Sequence, residues 1–198
     1  MPAEFPAATQ RYHDIKFCPR CGQDYGTADF NHSEYYFLCR ACSFDFYQNP
    51  LPAAVVVVPH PHHVESVLVL KRRTAPSIGR WCVPGGFLRY GETPDAAAQR
   101  EVREEVGAEV EIGPILRAGL VDYAYRGRQI CILEIAYLAR LIGAPPAADH
   151  VTNEAAELSF YPLAALLATP EILAFPEQIE VVRAFLVHLA GLRSDDKY

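Results

Sequence analysis

The stretch that decides the fold runs Gly86-Phe87-Leu88-Arg89-Tyr90-Gly91-Glu92-Thr93-Pro94-Asp95-Ala96-Ala97-Ala98-Gln99-Arg100-Glu101-Val102-Arg103-Glu104-Glu105-Val106-Gly107-Ala108. Its second half carries the marks of a helix. Thr93 stands before Pro94, a capping residue followed by proline at the first helical position, and Gly107 is placed to end the helix. The helix is therefore expected over Pro94 to Val106. At about 100° per residue, Glu104, Glu101 and Glu105 fall side by side over an arc of roughly 100°. Ala98, Val102 and Val106 form the adjoining apolar stripe, which puts the carboxylates at the margin of buried surface. Arg100 falls on the other flank, four residues before Glu104, where it can pair with a carboxylate. Adjacent carboxylates repel one another unless a cation or an arginine lies among them, and hard oxygen ligands completed by phosphate and water suit Mg2+. A solvated acidic face is the alternative that the helix alone leaves open.

Working outward, Gly79 to Gly91 is rich in turn residues, with Trp81, Pro84, Gly85 and Gly86 suggesting a bent strand and loop where backbone approaches something closely. Before it, Ala53 to Val58 and Ser66 to Lys71 read as a hairpin-like pair of strands. The intervening Pro59-His60-Pro61-His62-His63 reads as a solvated loop, and its histidines are assigned no role. After the helix, strands are expected near Ile115 to Tyr125 and Gln129 to Leu141, with Arg126-Gly127 as the turn, and near Glu157 to Tyr161. A short helix follows Pro162. An amphipathic helix from about Glu177 to Leu189 places Ile179, Val182, Phe185, Leu186 and Leu189 on one face. The class is α+β, a mixed β-sheet covered on both faces by helices.

Toward the N-terminus, Cys18-Pro19-Arg20-Cys21 and Cys39-Arg40-Ala41-Cys42 repeat one spacing, with seventeen residues between the pairs. Two thiolates on a tight turn can face one tetrahedral ion, and two such turns complete a closed four-sulfur Zn2+ site. Gly22 supports the first turn. Two disulfides or four separate thiols are the alternatives, and disulfides are rare in a reducing cytosol. The segment is too short to bury a sufficient core by itself, so a structural metal would substitute for one. Tyr35, Tyr36 and Phe37 could stack on a base, although strand packing around the turns is the plainer reading. Cys82 and Cys131 read as small buried hydrophobes.

Composition bounds the rest. The 198 residues are 51 % hydrophobic and 21 % charged, as in an average globular chain, with a formal net charge of −6. That balance disfavours a general polyanion-binding surface, so nucleic acid is not expected as a partner. The longest aliphatic run, Ala53 to Val58, is far shorter than the roughly 20 residues of a membrane span. Met1 to Gln10 does not read as a signal peptide, so a cytoplasmic location is the expectation.

Counting from Gly86, five residues lead to Glu92 and seven more to Arg100-Glu101-Val102-Arg103-Glu104-Glu105-Val106-Gly107-Ala108. This resembles the signature of the Nudix hydrolase family: Gly, five residues, Glu, seven residues, Arg-Glu-aliphatic-x-Glu-Glu-x-Gly-aliphatic. Only Ala108 departs, as a small occupant of the last aliphatic place. The doubled cysteine pairs, Gln48-Asn49-Pro50 and Gly79-Arg80-Trp81 with Pro84-Gly85-Gly86 resemble the zinc-ribbon branch, which includes FAD and ADP-ribose pyrophosphatases and, more distantly, NADH pyrophosphatase. The resemblance implies a tail at 1–14, a zinc ribbon at 15–50, a Nudix domain at 51–193 and a tail at 194–198. It implies hydrolysis of a nucleoside diphosphate linked to another group, first ADP-ribose or FAD, with release of AMP. It assigns Mg2+ or Mn2+ to Glu101 and Glu105 with Glu104 as a further ligand, orientation to Arg100 and bracing to Glu92. Gly85, Gly86 and Trp81 belong to the substrate loop, and Glu154 and Glu157 are the later candidates for general base. Homodimerisation is implied by the resemblance only. Diadenosine polyphosphates, for which Tyr123 and Tyr125 qualify, NADH, or non-catalytic nucleotide sensing are the alternatives.

Overall fold

Alternation along two neighbouring strands sets the layers around the site. The computed structural model describes residues 15–26, 30–31, 33–34, 36–125, 128–147 and 151–195, with the side chains at 123–125, 128–129 and 193–195 left out. Strand β4 is Leu51–Val57 and β6 is His63–Arg72; α1 is the helix Pro94–Val106. Ala54, Val56 and Val58 share a core cluster with Leu68, Leu70, Ala98, Val102 and Val106, which is one face. Val55, Val57, Val67 and Val69 join the opposite cluster, with Leu163 and Leu166 of α2 (Leu163–Ala168) and Val182 and Phe185 of α3 (Gln178–Asp195). A period of two in the strands therefore gives each face its own helical cover.

The chain divides into two compact units, Met1–Leu51 with Asp122–Cys131, and Pro52–Val121 with Ile132–Tyr198. The second unit holds β5 (Pro59–His60), β7 (Trp81–Cys82), β8 (Gly85–Phe87), β11 (Ala155–Pro162) and the greater part of β9 (Glu109–Tyr125) and β10 (Arg128–Ile142). The α+β class is as expected, with the strands shared between two four-stranded sheets, β8-β4-β10-β9 and β11-β6-β5 joined by β7 on β6. A short 3-10 turn, Pro170–Ile172, precedes α3, which runs to Asp195 and so past the expected end near Leu189.

One loop reading is corrected here. Pro59 and His60 form the edge strand β5, paired with β6 at Val67 and His63, and His60 packs edge-on against Phe160 at 4.7 Å between ring centroids. An edge position tolerates the missing N–H donor of proline. In the first unit, β1 (Phe30–Asn31), β2 (Tyr36–Leu38) and β3 (Asp45–Tyr47) form an antiparallel sheet with Phe37 opposite Phe46 and Tyr36 opposite Tyr47. Phe37 is 4 % exposed and stacks on Tyr25 at 4.9 Å, which removes it as a base-stacking residue. Cys82 is buried, but Cys131 is only half-buried. The expected Arg126-Gly127 turn, the tail at 1–14, Tyr35 and the side chains of Tyr123 and Tyr125 lie outside the described residues.

Candidate active site

Helix α1 begins and ends where its sequence says it should. Thr93 is extended (φ −81°, ψ 155°) with no side-chain cap, Pro94 follows, and Gly107 at φ 70° donates its amide to the Arg103 carbonyl. Burial then separates the glutamates. The side chains of Glu92, Glu101 and Glu104 are 14 %, 12 % and 46 % exposed, and Glu105 is 3 % exposed. Glu105 therefore sits inside the core edge rather than at its margin.

Arg100 ties the preceding loop to the helix. Its guanidinium donates to both oxygens of Glu92 at 2.7 and 2.9 Å, to the Phe87 carbonyl at 3.1 Å, to Glu101 at 2.6 Å and to Glu104 at 3.2 Å. Glu92 is held down to about 2, first by the hydrogen bonds from Arg100 and then by the Arg89 amide. Glu104, more open to solvent, also takes Arg89 at 2.9 Å.

Glu105 feels Arg72 only through space. Its Oε2 accepts the Gly85 amide at 2.9 Å, yet burial, with the nearby charges of Glu101 and Glu154, pushes it up to about 8. Burial also raises Glu101, against the pull of Arg100. Two glycines allow this closeness. A Cβ at position 85, where φ is +153°, would lie 2.6 Å from the Val55 Cα, and one at position 86 would lie 2.7 Å from the Glu101 Cδ. A buried, underpaired carboxylate beside two others, under the two glycines of β8, suits a hard divalent cation, whose charge would favour ionisation of all three. The oxygens of Glu101, Glu104 and Glu105 do not themselves form a group within 4.8 Å; among the described residues only Cys18, Cys21, Cys39 and Cys42 do.

The two later carboxylates part company. Glu157 pairs with Lys71 at 3.2 Å on β6, while Glu154 acts electrostatically on Glu101 and Glu105. Glu154 and Glu104 line one open cleft of about 520 Å3, together with Arg73, Val151, Thr152 and Asn153. Trp81 is half-buried in the α2–α3 cluster, its ring 5.7 Å from that of Tyr161 and under the Lys71 ammonium at 5.4 Å. Sequence reasoning passed over Arg73 and Thr152. The signal available was Thr152-Asn153, residues that build turns by bonding their own backbone.

In the first unit the two cysteine turns repeat one geometry. Gly22 donates to the Cys18 carbonyl and Ser43 to the Cys39 carbonyl, both at 2.8 Å, and both residues have positive φ, 75° and 54°. The sulfurs of Cys18 and Cys42 are 3.7 Å apart and those of Cys21 and Cys39 3.6 Å. A disulfide would need about 2.05 Å. The edge of a tetrahedron with Zn–S bonds of about 2.3 Å is about 3.8 Å, so the four thiols fit a zinc ion.

A NUDIX domain model matches residues 50–185. The NAD-capped RNA hydrolase NudC of Vibrio vulnificus is 32 % identical over 96 residues, 48 % of this chain and 34 % of that protein. An ADP-ribose pyrophosphatase of Methanocaldococcus jannaschii is 30 % identical over 89 residues, 45 % of this chain and 52 % of that protein. The match thus spans about a third to a half of these relatives. A NUDIX hydrolase structure from Nitrosomonas europaea superposes with a TM-score of 0.56 at 27 % identity, covering 75 % of this chain and 78 % of the other.

Proposed function

The chain belongs to the NUDIX family, and from that premise we propose that it is a metal-dependent pyrophosphatase that hydrolyses a nucleoside diphosphate linked to another moiety, first ADP-ribose or FAD, releasing AMP. The observation that carries this reading is Glu105, buried under the Gly85 amide with the charges of Glu101 and Glu154 acting against its ionisation and Arg72 reaching it only through space. Glu101 and Glu105 would hold Mg2+ or Mn2+, with Glu104 as a further ligand once it leaves Arg89. A metal held there would supply positive charge for the phosphates and lower the pKa of water. Arg100 fixes the orientation of Glu101 and, through Glu92, the shape of the loop. Gly85 and Gly86, lacking side chains, let β8 pass close to the Glu101 and Glu105 carboxylates. Glu154 takes a proton from the water that attacks phosphorus, the bridging P–O bond breaks, and AMP and the second phosphate-bearing fragment depart. Glu157 is set aside as base because Lys71 holds it. Trp81 is assigned to packing rather than to substrate.

The four cysteines are read as a structural Zn2+ site in a ribbon at 15–50, before a hydrolase domain at 51–193. A cytoplasmic location agrees with reduced thiols, and a homodimer rests on resemblance alone. Among the described residues no helix is long and apolar enough to cross a membrane. NAD-type substrates, including NAD-capped RNA, form the second reading, because a 32 % identical relative bears that name. The acidic balance had set nucleic acid aside, and that relative brings it back as an open substrate class.

Release of AMP is measured with Mg2+ against ADP-ribose, FAD, NADH and a diadenosine polyphosphate, and release of nicotinamide mononucleotide against an NAD-capped RNA, whose adenylate stays on the RNA. Turnover fastest on ADP-ribose or FAD is expected. Preference for the capped RNA would install the second reading, and binding without product from any of them would make the chain a nucleotide sensor.

A further inference from the structure

The chain turns at Thr152-Asn153-Glu154 before entering β11, and this turn is pinned from two sides. The Thr152 hydroxyl accepts the amides of Glu154 and Ala155 at 3.3 and 2.9 Å and donates to the Glu105 carbonyl at 3.3 Å. The last carbonyls of a helix have no partner within it, so this bond attaches the turn to a place on α1 that needs one. On the other side, the Arg73 amide donates to the Glu154 carbonyl at 2.7 Å and its guanidinium donates to the Thr152 carbonyl at 3.2 Å. The turn is further closed by the Thr152 amide on the Ala155 carbonyl at 3.0 Å.

These bonds fix the backbone on both sides of a residue whose side chain none of them touches. Glu154 lines the same cleft as Glu104. An exposed turn with no task would not need a threonine reaching into a helix end and an arginine clamping it from behind.

We propose that Thr152 and Arg73 are positioning residues for hydrolysis, which register Glu154 against the carboxylates of α1, Thr152 through the Glu105 carbonyl and Arg73 through the Glu154 and Thr152 carbonyls. This rests on Glu154 as the general base. Displacing a reacting group by about 1 Å costs on the order of a hundredfold in rate, so loss of either bond acts on turnover more than on substrate binding.

The test is steady-state kinetics with ADP-ribose and Mg2+ on the full chain. Thr152→Val should lower kcat by about ten- to a hundredfold with KM within about twofold, and Thr152→Ser should restore kcat to within about threefold. Arg73→Met should lower kcat in the same sense from the other side of the turn. In a Glu154→Gln background neither change should lower kcat further, because residues acting as a unit are not additive. Full additivity in that background, with Glu154→Gln itself slow, would overturn the positioning role alone. A Glu154→Gln variant with ordinary turnover would overturn the base assignment and this proposal with it. A Thr152→Ser variant as slow as Thr152→Val also counts against it, since the hydroxyl would then not be what matters.

Discussion

Glu105 is a carboxylate held at 3 % exposure with a raised pKa. Burial with a single amide partner holds its carboxyl at about 8, whereas an unfolded chain would ionise it near its ordinary 4.5. The folded form therefore resists ionisation that the unfolded form permits. Stability that is whole below about pH 4.5 is lost progressively as pH rises to about 8. Glu105→Gln keeps an acceptor for the Gly85 amide and never ionises. In metal-free buffer its thermal midpoint should exceed that of the wild type by a margin that widens from pH 4.5 to pH 8, and added Mg2+ should close the gap by stabilising the wild type alone. An unchanging margin, followed by thermal unfolding across that pH range, would show that Glu105 is not a buried acid. The sequence placed Glu105 among the carboxylates but could not rank their burial, because a helical wheel gives direction and not depth. Nor could it show that Arg100 binds Glu92 through Nε and Nη2, since that pairing depends on the path of the loop between them.

At the scale of elements, α1 was readable to the residue: Thr93-Pro94 and Gly107 are local signals, and the apolar stripe did the rest. Strand β5 was not, because its pairing with β6 is a tertiary event that proline-rich sequence conceals. The glycine pair divides along the same line. At position 85 an added Cβ meets the backbone of β4, which cannot yield, while at position 86 it meets the far end of Glu101, which can. Gly85→Ala should therefore destabilise the fold by on the order of 2 to 3 kcal/mol, as strained backbone does. Gly86→Ala should leave the thermal midpoint nearly unchanged but lower turnover about a hundredfold by moving the Glu101 carboxylate. Equal losses of stability in the two variants would show that the loop is shaped by something other than these contacts.

Over the whole molecule, the two units ask different things of metal. The four cysteines of the first surround a space of zinc dimensions, and the module has few apolar residues beyond Tyr25, Phe37 and their neighbours to hold it otherwise. A strong chelator under reducing conditions should release about one zinc per chain, and amide-exchange protection should then fall at Tyr36–Leu38 and Asp45–Tyr47. Protection that survives chelation would mean the ribbon folds on its aromatic core. The doubled cysteine spacing and the Glu92-to-Gly107 offsets were legible because each is local in sequence. The cleft at Thr152 to Glu154 was not, since only folding brings it to α1. Substrate choice belongs to the same non-local class.

Glu105, buried beneath Gly85, is the ligand on which the proposed metal-dependent diphosphate hydrolysis depends most. That dependence is tested most directly by Mg2+-dependent AMP release from ADP-ribose by Glu105→Gln beside the wild type, each first shown folded by its thermal midpoint. Turnover at least about a thousandfold below wild type at saturating Mg2+ is expected, the scale on which removing a centre of electrostatic stabilisation acts. Near-normal turnover by the folded variant would contradict it.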